Sequence, residues 1–290
     1  MVPARPFRFG VGVGVSSGGI YAQEEDTATG SSFAQWDIHL LGRAEHSNFL
    51  GGMRRLRIEE RPRLIFDDPF PKTGESSLGN LLTMELRQPA FLEARTTLVA
   101  RMRWDLGPDP WGGRFLRHDL IAGVGPERFF FEGKLLLATS INFDLFLPEE
   151  EDLFPNTEML YFYHAARVDL RDDPRNTTRG SYFSLGFQHA GYVVPSDWDY
   201  FRITQDTRGY VPLFGGVVLA LRGQIGFMNV TRSKIDVTPL SDSPNEKELE
   251  QYTFRDNLEK YGPLRHRLRG GLQQRAGLRP QYAGRCGDYR

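Results

Sequence analysis

Apolar and polar residues alternate along most of the chain with a period of two. In residues 97–106, every second position from Leu98 to Leu106 is apolar, and Arg101 and Arg103 lie between them. Similar alternation occurs in the segments 54–64, 80–88, 134–143, 181–189 and 217–227. A period of two is typical of strands, so the sequence predicts an all-β protein with about twelve strands separated by turn-rich spacers. The segment 245–260 is polar almost all round, and we interpret it as part of an exposed loop.

The length and chemistry of these strands favour a membrane barrel over a soluble β-sandwich. Several segments approach or exceed the roughly ten residues that cross a bilayer, whereas soluble strands average about five or six. The polar face carries repeated full charges, at Glu85, Arg87, Arg101, Arg103 and Arg222. Aromatic clusters at 129–131, 161–163 and 198–201 are expected near strand ends, where they would form interfacial girdles. The soluble sandwich remains the alternative.

Composition excludes several classes of function. The formal net charge of −1 argues against the basic surface of a nucleic-acid-binding protein, so no nucleic-acid partner is expected. The single cysteine, Cys286, excludes an intramolecular disulfide framework and a cysteine-built zinc cluster. The histidines have no metal-ligand spacing, and neither a phosphate-binding loop nor a nucleophile elbow occurs. We therefore expect no cofactor, no metal and no catalytic residue.

Five stretches carry short motifs in a recognisable order. They are the glycine-rich strand 7–19, the turn 48–52, the passage 85–92, the strand–turn–strand 168–182 and the hairpin around 207–213. The most specific is 168–182, which reads D-x-R-D-x-P-x-x-x-x-R-G from Asp169. Together these stretches resemble the barrel domain of the BamA/TamA family of outer-membrane assembly proteins, also called bacterial surface antigens. The resemblance covers about residues 7–230.

The resemblance implies a fold, a location and a role. The fold would be an antiparallel transmembrane β-barrel of the 16-stranded BamA/TamA type, incomplete here because about twelve strands are recognised. The location would be the bacterial outer membrane, and the role would be inserting or assembling other outer-membrane proteins without covalent chemistry. Implied partners are outer-membrane lipid, unfolded outer-membrane protein clients, and periplasmic POTRA repeats or accessory lipoproteins.

The first candidate site is the glycine-rich first strand. Phe7 and Phe9 lead into a row of glycines on one face, at Gly10, Gly12 and Gly14. Glycine weakens a strand, and the residues alone leave two interpretations open: a tight bend or close backbone approach at a barrel seam, and a seam that opens. The resemblance implies the second, in which a client strand pairs with the first strand by β-augmentation.

The second candidate site is the family turn motif, composed of Asp169, Arg171, Asp172, Pro174, Arg179 and Gly180. Proline presets φ for a turn and glycine permits a positive φ. Two interpretations stay open for this dense charge patch. One is a salt-bridged turn that joins two strands, and the other is a lumen contact for a folded-in loop.

The expected organisation has three regions: barrel strands over 1–232, a long extracellular loop over 233–270 and an atypical tail over 271–290. Arg269 and Gly270 are the only local match to the family's R-G-[FY] loop motif, and Gly271 stands in the aromatic position. Codons read one nucleotide later permit the missing motif, so we hypothesise a frameshift near codon 271, with a genuine divergent tail as the alternative. The glycine-diluted N-terminus predicts a strand rather than a secretory signal.

Two other functions stay open at this point. A passive porin-like channel would have a stably closed seam and would conduct ions steadily. A membrane anchor of a longer protein would follow an N-terminal hydrolase domain, as some family barrels do.

Overall fold

The strands form one antiparallel sheet. The computed structural model describes residues 6–17, 36–66, 70–74, 76–108, 116–148, 156–191 and 195–234. Its strands are β1 (Phe7–Ser17), β2 (Trp36–His46), β3 (Arg55–Phe66), β4 (Ser76–Gln88), β5 (Thr96–Pro108), β6 (Leu116–Phe130), β7 (Leu135–Pro148), β8 (Thr157–Asp169), β9 (Gly180–Ala190), β10 (Trp198–Pro212) and β11 (Val218–Ser233). Short 3₁₀ turns lie at Phe131–Gly133 and Phe214–Gly216. The all-β prediction is confirmed, with eleven strands in the described residues.

Each strand pairs with its neighbours in sequence, in the order β1 to β11. Strands paired in sequence order with alternating direction form an antiparallel meander. Among the described strands, β1 pairs only with β2 and β11 pairs only with β10. The described sheet is therefore open at both edges, in agreement with the prediction of an incomplete barrel.

The pairing registers divide the sheet into two chemically distinct faces. Partners in register lie on the same face, so Ile203 of β10 lies beside Phe187 of β9 and Phe227 of β11. We call this the apolar face, and we call the opposite one, which holds the arginines and acids, the charged face. Large side chains on the apolar face are exposed, among them Val11 at 92% and Leu221 at 61%.

This exposure bears on the soluble alternative. A β-sandwich buries its apolar face against a second sheet, whereas all eleven described strands belong to one sheet. Leu185 and Leu219 are 39% and 43% exposed, so no second sheet covers them. An apolar face of this extent, left uncovered, is typical of a surface that contacts lipid.

The prediction about aromatic girdles is wrong for part of the set. Tyr161 and Tyr163 lie in the middle of β8 and project to the charged face, in register with Asn142 and Ser140. Trp198 and Tyr200 begin β10 but are fully buried, and Tyr200 is in register with Ala190 on the charged face. Alternation along a strand places only every second aromatic residue on the lipid side, so consecutive aromatics cannot all join one girdle.

Residues with a local preference for turns lie at the ends of some strands. Ser16 and Ser17 pair with Asp37 and Trp36, and Pro108 ends β5 in register with Leu116. Pairing with the neighbouring strand therefore includes residues that alone would favour turns. Pro108 is tolerated because a proline at the end of a strand loses no ladder hydrogen bond.

The chain divides into two units, Met1–Asp236 and Val237–Arg290. All described strands belong to the first unit. The second lies outside the described residues, and so do the segment 245–260, Arg269, Gly270 and the tail over 271–290. Within the described residues, no helix is long and apolar enough to cross a bilayer.

Candidate functional site

The open edge of β1 is the first feature of the site. β1 pairs with β2 along its whole length, from Phe7↔His46 to Ser17↔Trp36. The other edge of β1 has no partner strand among the described residues, so its main-chain donors and acceptors are available to an added strand. Phe7 and Phe9 project to the apolar face, where they are 53% and 77% exposed.

The start of β1 is held by side-chain and main-chain contacts. The Phe7 ring meets the His46 ring edge-on, with centroids 4.1 Å apart. The Ser47 N–H donates to the Pro6 carbonyl at 2.8 Å. These contacts fix β1 at the end where the chain enters the sheet, because an edge-to-face aromatic pair adds to the ladder bonds.

The three glycines of β1 lie on the charged face, in register with Arg43, Leu41 and His39. Only Gly14 has a close neighbour, because a Cβ at this position would stand 2.6 Å from Nε2 of His39, whose ring would have to move. At Gly10 and Gly12 a Cβ would have its nearest neighbours at 4.0 and 3.8 Å. Packing therefore does not explain two of the three glycines, and their effect is on the stiffness of the strand.

The absence of a side chain at Gly14 leaves room for a polar pair on β2. Nδ1 of His39 lies 2.7 Å from Oδ1 of Asp37, and both side chains project to the charged face of β2 beside the glycine. A side chain at position 14 would displace this ring. The close-approach interpretation of the glycine row thus fits Gly14, and the other two positions leave the weak-strand interpretation open.

The turn motif between β8 and β9 is organised by carboxylates. Asp169 accepts two hydrogen bonds from the Arg171 guanidinium, at 2.8 and 2.7 Å. Asp172 accepts from the main-chain N–H of Thr178 at 3.1 Å and of Arg179 at 3.3 Å, and from the Thr178 hydroxyl. These bonds to the charged form hold the pKa of Asp172 well below its ordinary value, with the Thr178 hydroxyl as the largest cause.

The same turn contains a second short loop around Pro174. The Asp173 carboxylate accepts from the Arg175 N–H at 2.8 Å, and the Thr177 hydroxyl donates to the Asp173 carbonyl at 2.7 Å. Aspartate commonly closes a turn on its own backbone in this way. In the described structure Arg179 contributes main-chain bonds rather than an ion pair, so the turn is salt-bridged only between Asp169 and Arg171.

Gly180 closes the motif where β9 begins. Its φ is +108°, and a Cβ there would overlap the Leu170 carbonyl oxygen and approach the Arg171 Cα at 2.9 Å. Only glycine fits such a position without strain.

Two guanidinium groups enclose Tyr182 next to the turn. The Cζ atoms of Arg171 and Arg208 lie 5.1 and 5.0 Å from the centre of its ring. Hydrogen bonding to Asp169, together with Tyr210, raises the pKa of Arg171 above its ordinary value. Cation–π contacts of this kind favour a fixed ring position, so the turn is connected to β10 through Tyr182.

Shared carboxylates are the recurring motif of the charged face. Each acid of one set contacts two arginines: Glu45 with Arg43 and Arg55, Glu59 with Arg57 and Arg61, Asp105 with Arg63 and Arg103, Glu127 with Arg87 and Arg101, and Asp206 with Arg208 and Arg222. Glu85 also contacts two arginines of this set, Arg87 and Arg101. Such a density of charge needs water or partners nearby, as on the wall of a wet lumen.

Sequence reasoning did not identify these shared pairs as a unit. Alternation placed Arg101 and Arg222 on the polar face, but the pairings of Arg101 with Glu85 and Glu127 depend on the cross-strand register. Among the described residues no group of His, Cys, Asp and Glu side chains has the geometry of a metal site.

Residues 139–243 match the family model described as the Omp85 superfamily domain. We call the matched residues the Omp85 segment. The superfamily includes BamA/TamA-type proteins, so the family predicted from the motifs is confirmed at this level. The Omp85 segment begins inside β7 and contains β8 to β11 with the turn motif, whereas β1 lies outside it. No curated protein matches the chain. The Omp85 segment and the single antiparallel sheet support an outer-membrane β-barrel of the Omp85 type.

Proposed function

We propose that this chain acts in the bacterial outer membrane as an assembly factor that inserts other outer-membrane proteins by strand pairing at β1. The observation that carries the proposal is the open edge of a strand weakened by Gly10 and Gly12, which packing does not require. Main-chain hydrogen bonds would hold the incoming strand, so affinity would depend little on the client's side chains.

The Omp85 segment supports this proposal from a different part of the chain. The turn motif and the charged face of β8 to β10 form a hydrogen-bonded region around Tyr182. A rigid region on one side and a weak edge at β1 are what strand addition needs, because the acceptor strand must move while the remaining sheet stays folded.

No cofactor or covalent step enters the proposed mechanism. The free energy would come from hydrogen bonds of the added strand and from transfer of its apolar side chains to lipid. The apolar face of β1, from Phe7 to Val15, would lie next to the apolar face of the client strand.

The experiment uses the full chain reconstituted in liposomes and a urea-unfolded eight-stranded outer-membrane barrel as the client. Folding of the client is followed by its altered migration in unheated gels. We expect faster folding than with protein-free liposomes, and disulfide capture between a cysteine replacing Val13 and one placed in a client strand, in a Cys286→Ser background.

The matched variants separate strand stiffness from general damage. The double variant Gly10→Val, Gly12→Val places side chains where space exists and should slow client folding. The control, Gly209→Val with Gly223→Val, also enters open space but lies on the apolar face of β10 and β11, and it should leave client folding unchanged. Client folding at the protein-free rate would contradict the proposal.

A passive channel is the second candidate, and the paired arginines of the charged face favour it. Such a protein would conduct ions steadily across a planar bilayer and would leave client folding at the protein-free rate. Steady conductance without accelerated folding would therefore select the channel.

A further inference from the structure

An acidic side chain interrupts the apolar face near the middle of β3. Glu60 is exposed on this face, in register with Gly42 of β2 and Leu82 of β4. The surrounding residues of the same face are exposed and apolar: Leu40 at 58%, Leu64 at 37% and Leu78 at 74%. A carboxyl group is therefore placed among side chains that contact lipid.

The carboxyl group has one hydrogen-bond partner, on the next strand. Nδ2 of Asn80 donates to Oε1 of Glu60 at 3.3 Å. Oδ1 of Asn80 is enclosed and has no hydrogen-bond partner in the described structure. Polar groups in the hydrocarbon region are costly unless they are paired, so an acid at this depth indicates a functional contact.

The pairing of β2 with β3 is also interrupted beside Glu60. The register of β2 with β3 runs to His39↔Arg63 and resumes only at Gly42↔Glu60. Pro62 lies in this gap and has no N–H to donate to β2. The gap therefore marks a local irregularity of the sheet beside Glu60.

The apolar face has a shallow depression beside Glu60 that permits another molecule to approach closely. Gly42 has no side chain and the next residue of β2 on the same face is Ala44, so a shallow depression adjoins Glu60. In membranes, small residues and interchain hydrogen bonds are the features that drive association of spanning segments.

We propose that the polar patch formed by Gly42, Glu60, Pro62 and Asn80 is a membrane-embedded contact between two copies of this chain. The patch contains both a donor, the Asn80 amide, and an acceptor, the Glu60 carboxyl group, so it complements itself. Copies inserted in the same direction are related by a two-fold axis along the bilayer normal, and such an axis can place the Asn80 amide of one copy opposite the Glu60 carboxyl group of the other. The Asn80 amide of each copy then reaches the Glu60 carboxyl group of the other.

This inference goes beyond the proposed assembly function and does not depend on it. It uses β2, β3 and β4 rather than the edge of β1. A failure of client folding would leave the dimer contact unaffected, and absence of the dimer would leave the edge of β1 available.

The test uses the full chain with Cys286→Ser, reconstituted in liposomes at a fixed protein-to-lipid ratio. A cysteine at Leu40, next to the patch, should form a disulfide-linked dimer on mild oxidation. Glu60→Leu should lower the dimer fraction about tenfold, because it removes both reciprocal hydrogen bonds. Glu60→Gln keeps an acceptor at this position and should retain the dimer.

Cysteines at other positions supply the controls. Ile141→Cys lies on the apolar face of β7, away from the patch, and should remain monomeric. Phe7→Cys, at the end of β1 away from Leu40, and Ile225→Cys on β11 report association through the two open edges. Folding of each variant is checked by migration in unheated gels.

Disulfide trapping at the different cysteine positions tests the dimer contact even if a Glu60 variant fails to fold. Dimers trapped at Leu40 and not at Ile141 would support the contact. Three results would overturn it: no dimer at Leu40, equal trapping at Leu40 and Ile141, or equal quenching of probes at both positions by brominated lipid.

Discussion

At the scale of single residues, the turn between β8 and β9 depends on one backbone angle. Gly180 has a φ of +108° and no room for a Cβ beside the Leu170 carbonyl. We expect Gly180→Ala to destabilise the fold by roughly 1–3 kcal/mol. The matched control is Gly209→Ala, where nothing lies within 4 Å and the change should be within about 0.5 kcal/mol. Urea unfolding in detergent measures both, and equal midpoints for the two variants would contradict the steric account.

The same turn should respond to acid through Asp172. Its pKa is lower in the folded turn than the ordinary value of 3.8, so its hydrogen bonds stabilise the fold above that pH and are lost as the pH falls below it. The difference in urea midpoint between the wild type and Asp172→Ala should be constant near neutral pH and shrink below about pH 4. A difference that does not change between pH 7 and pH 3 would show that Asp172 is not held by these donors.

At the scale of strands, the alternation in the sequence predicts the two faces correctly. The apolar row Leu98 to Leu106 and the arginines between them lie on opposite faces of β5, as expected from a period of two. The prediction succeeds because the side-chain period of a strand does not depend on its partners.

The side-chain contacts between strands cannot be predicted from the sequence pattern. The sharing of Glu127 by Arg87 and Arg101 needs the register of three strands, and no local pattern encodes a register of that span. The prediction of aromatic girdles is wrong for part of the set because Tyr161 and Tyr163 lie in the middle of β8 and project to the charged face. The shape of the turn was partly predictable, since Pro174 and Gly180 have intrinsic turn preferences, whereas the bonds from Thr178 and Arg179 to Asp172 were not.

Opposite faces of β9 should tolerate charge differently. Leu185 lies in the middle of β9 on the apolar face, and Leu185→Arg should cost about 2–4 kcal/mol in a liposome. Ser184→Arg is the neighbouring control, because Ser184 lies on the charged face in register with Arg167 and Asp206. Gln188 is a poorer control, since its amide donates to the Tyr200 hydroxyl. Equal losses of stability for the two arginine variants would mean that both faces meet the same environment.

At the scale of the whole molecule, the motifs in the sequence predict the family but not the state of the sheet. The Omp85 segment at 139–243 contains the turn motif that carried the resemblance. The open edges of β1 and β11 are properties of eleven strands together, and neither motif nor alternation specifies how a sheet closes. The assembly role therefore depends on the edge of β1, and the proposed dimer depends on a single acid on the apolar face.

Fluorescence quenching along β9 identifies most directly which face of the sheet contacts lipid. Single cysteines on β9, at Tyr182, Phe183, Ser184, Leu185 and Phe187, are labelled with a fluorophore in reconstituted Cys286→Ser protein. Brominated lipid should quench the probes at Phe183, Leu185 and Phe187, and aqueous iodide should quench those at Tyr182 and Ser184. Quenching that does not alternate along β9, or probes on the apolar face shielded from lipid, would contradict the membrane sheet on which the other conclusions rest.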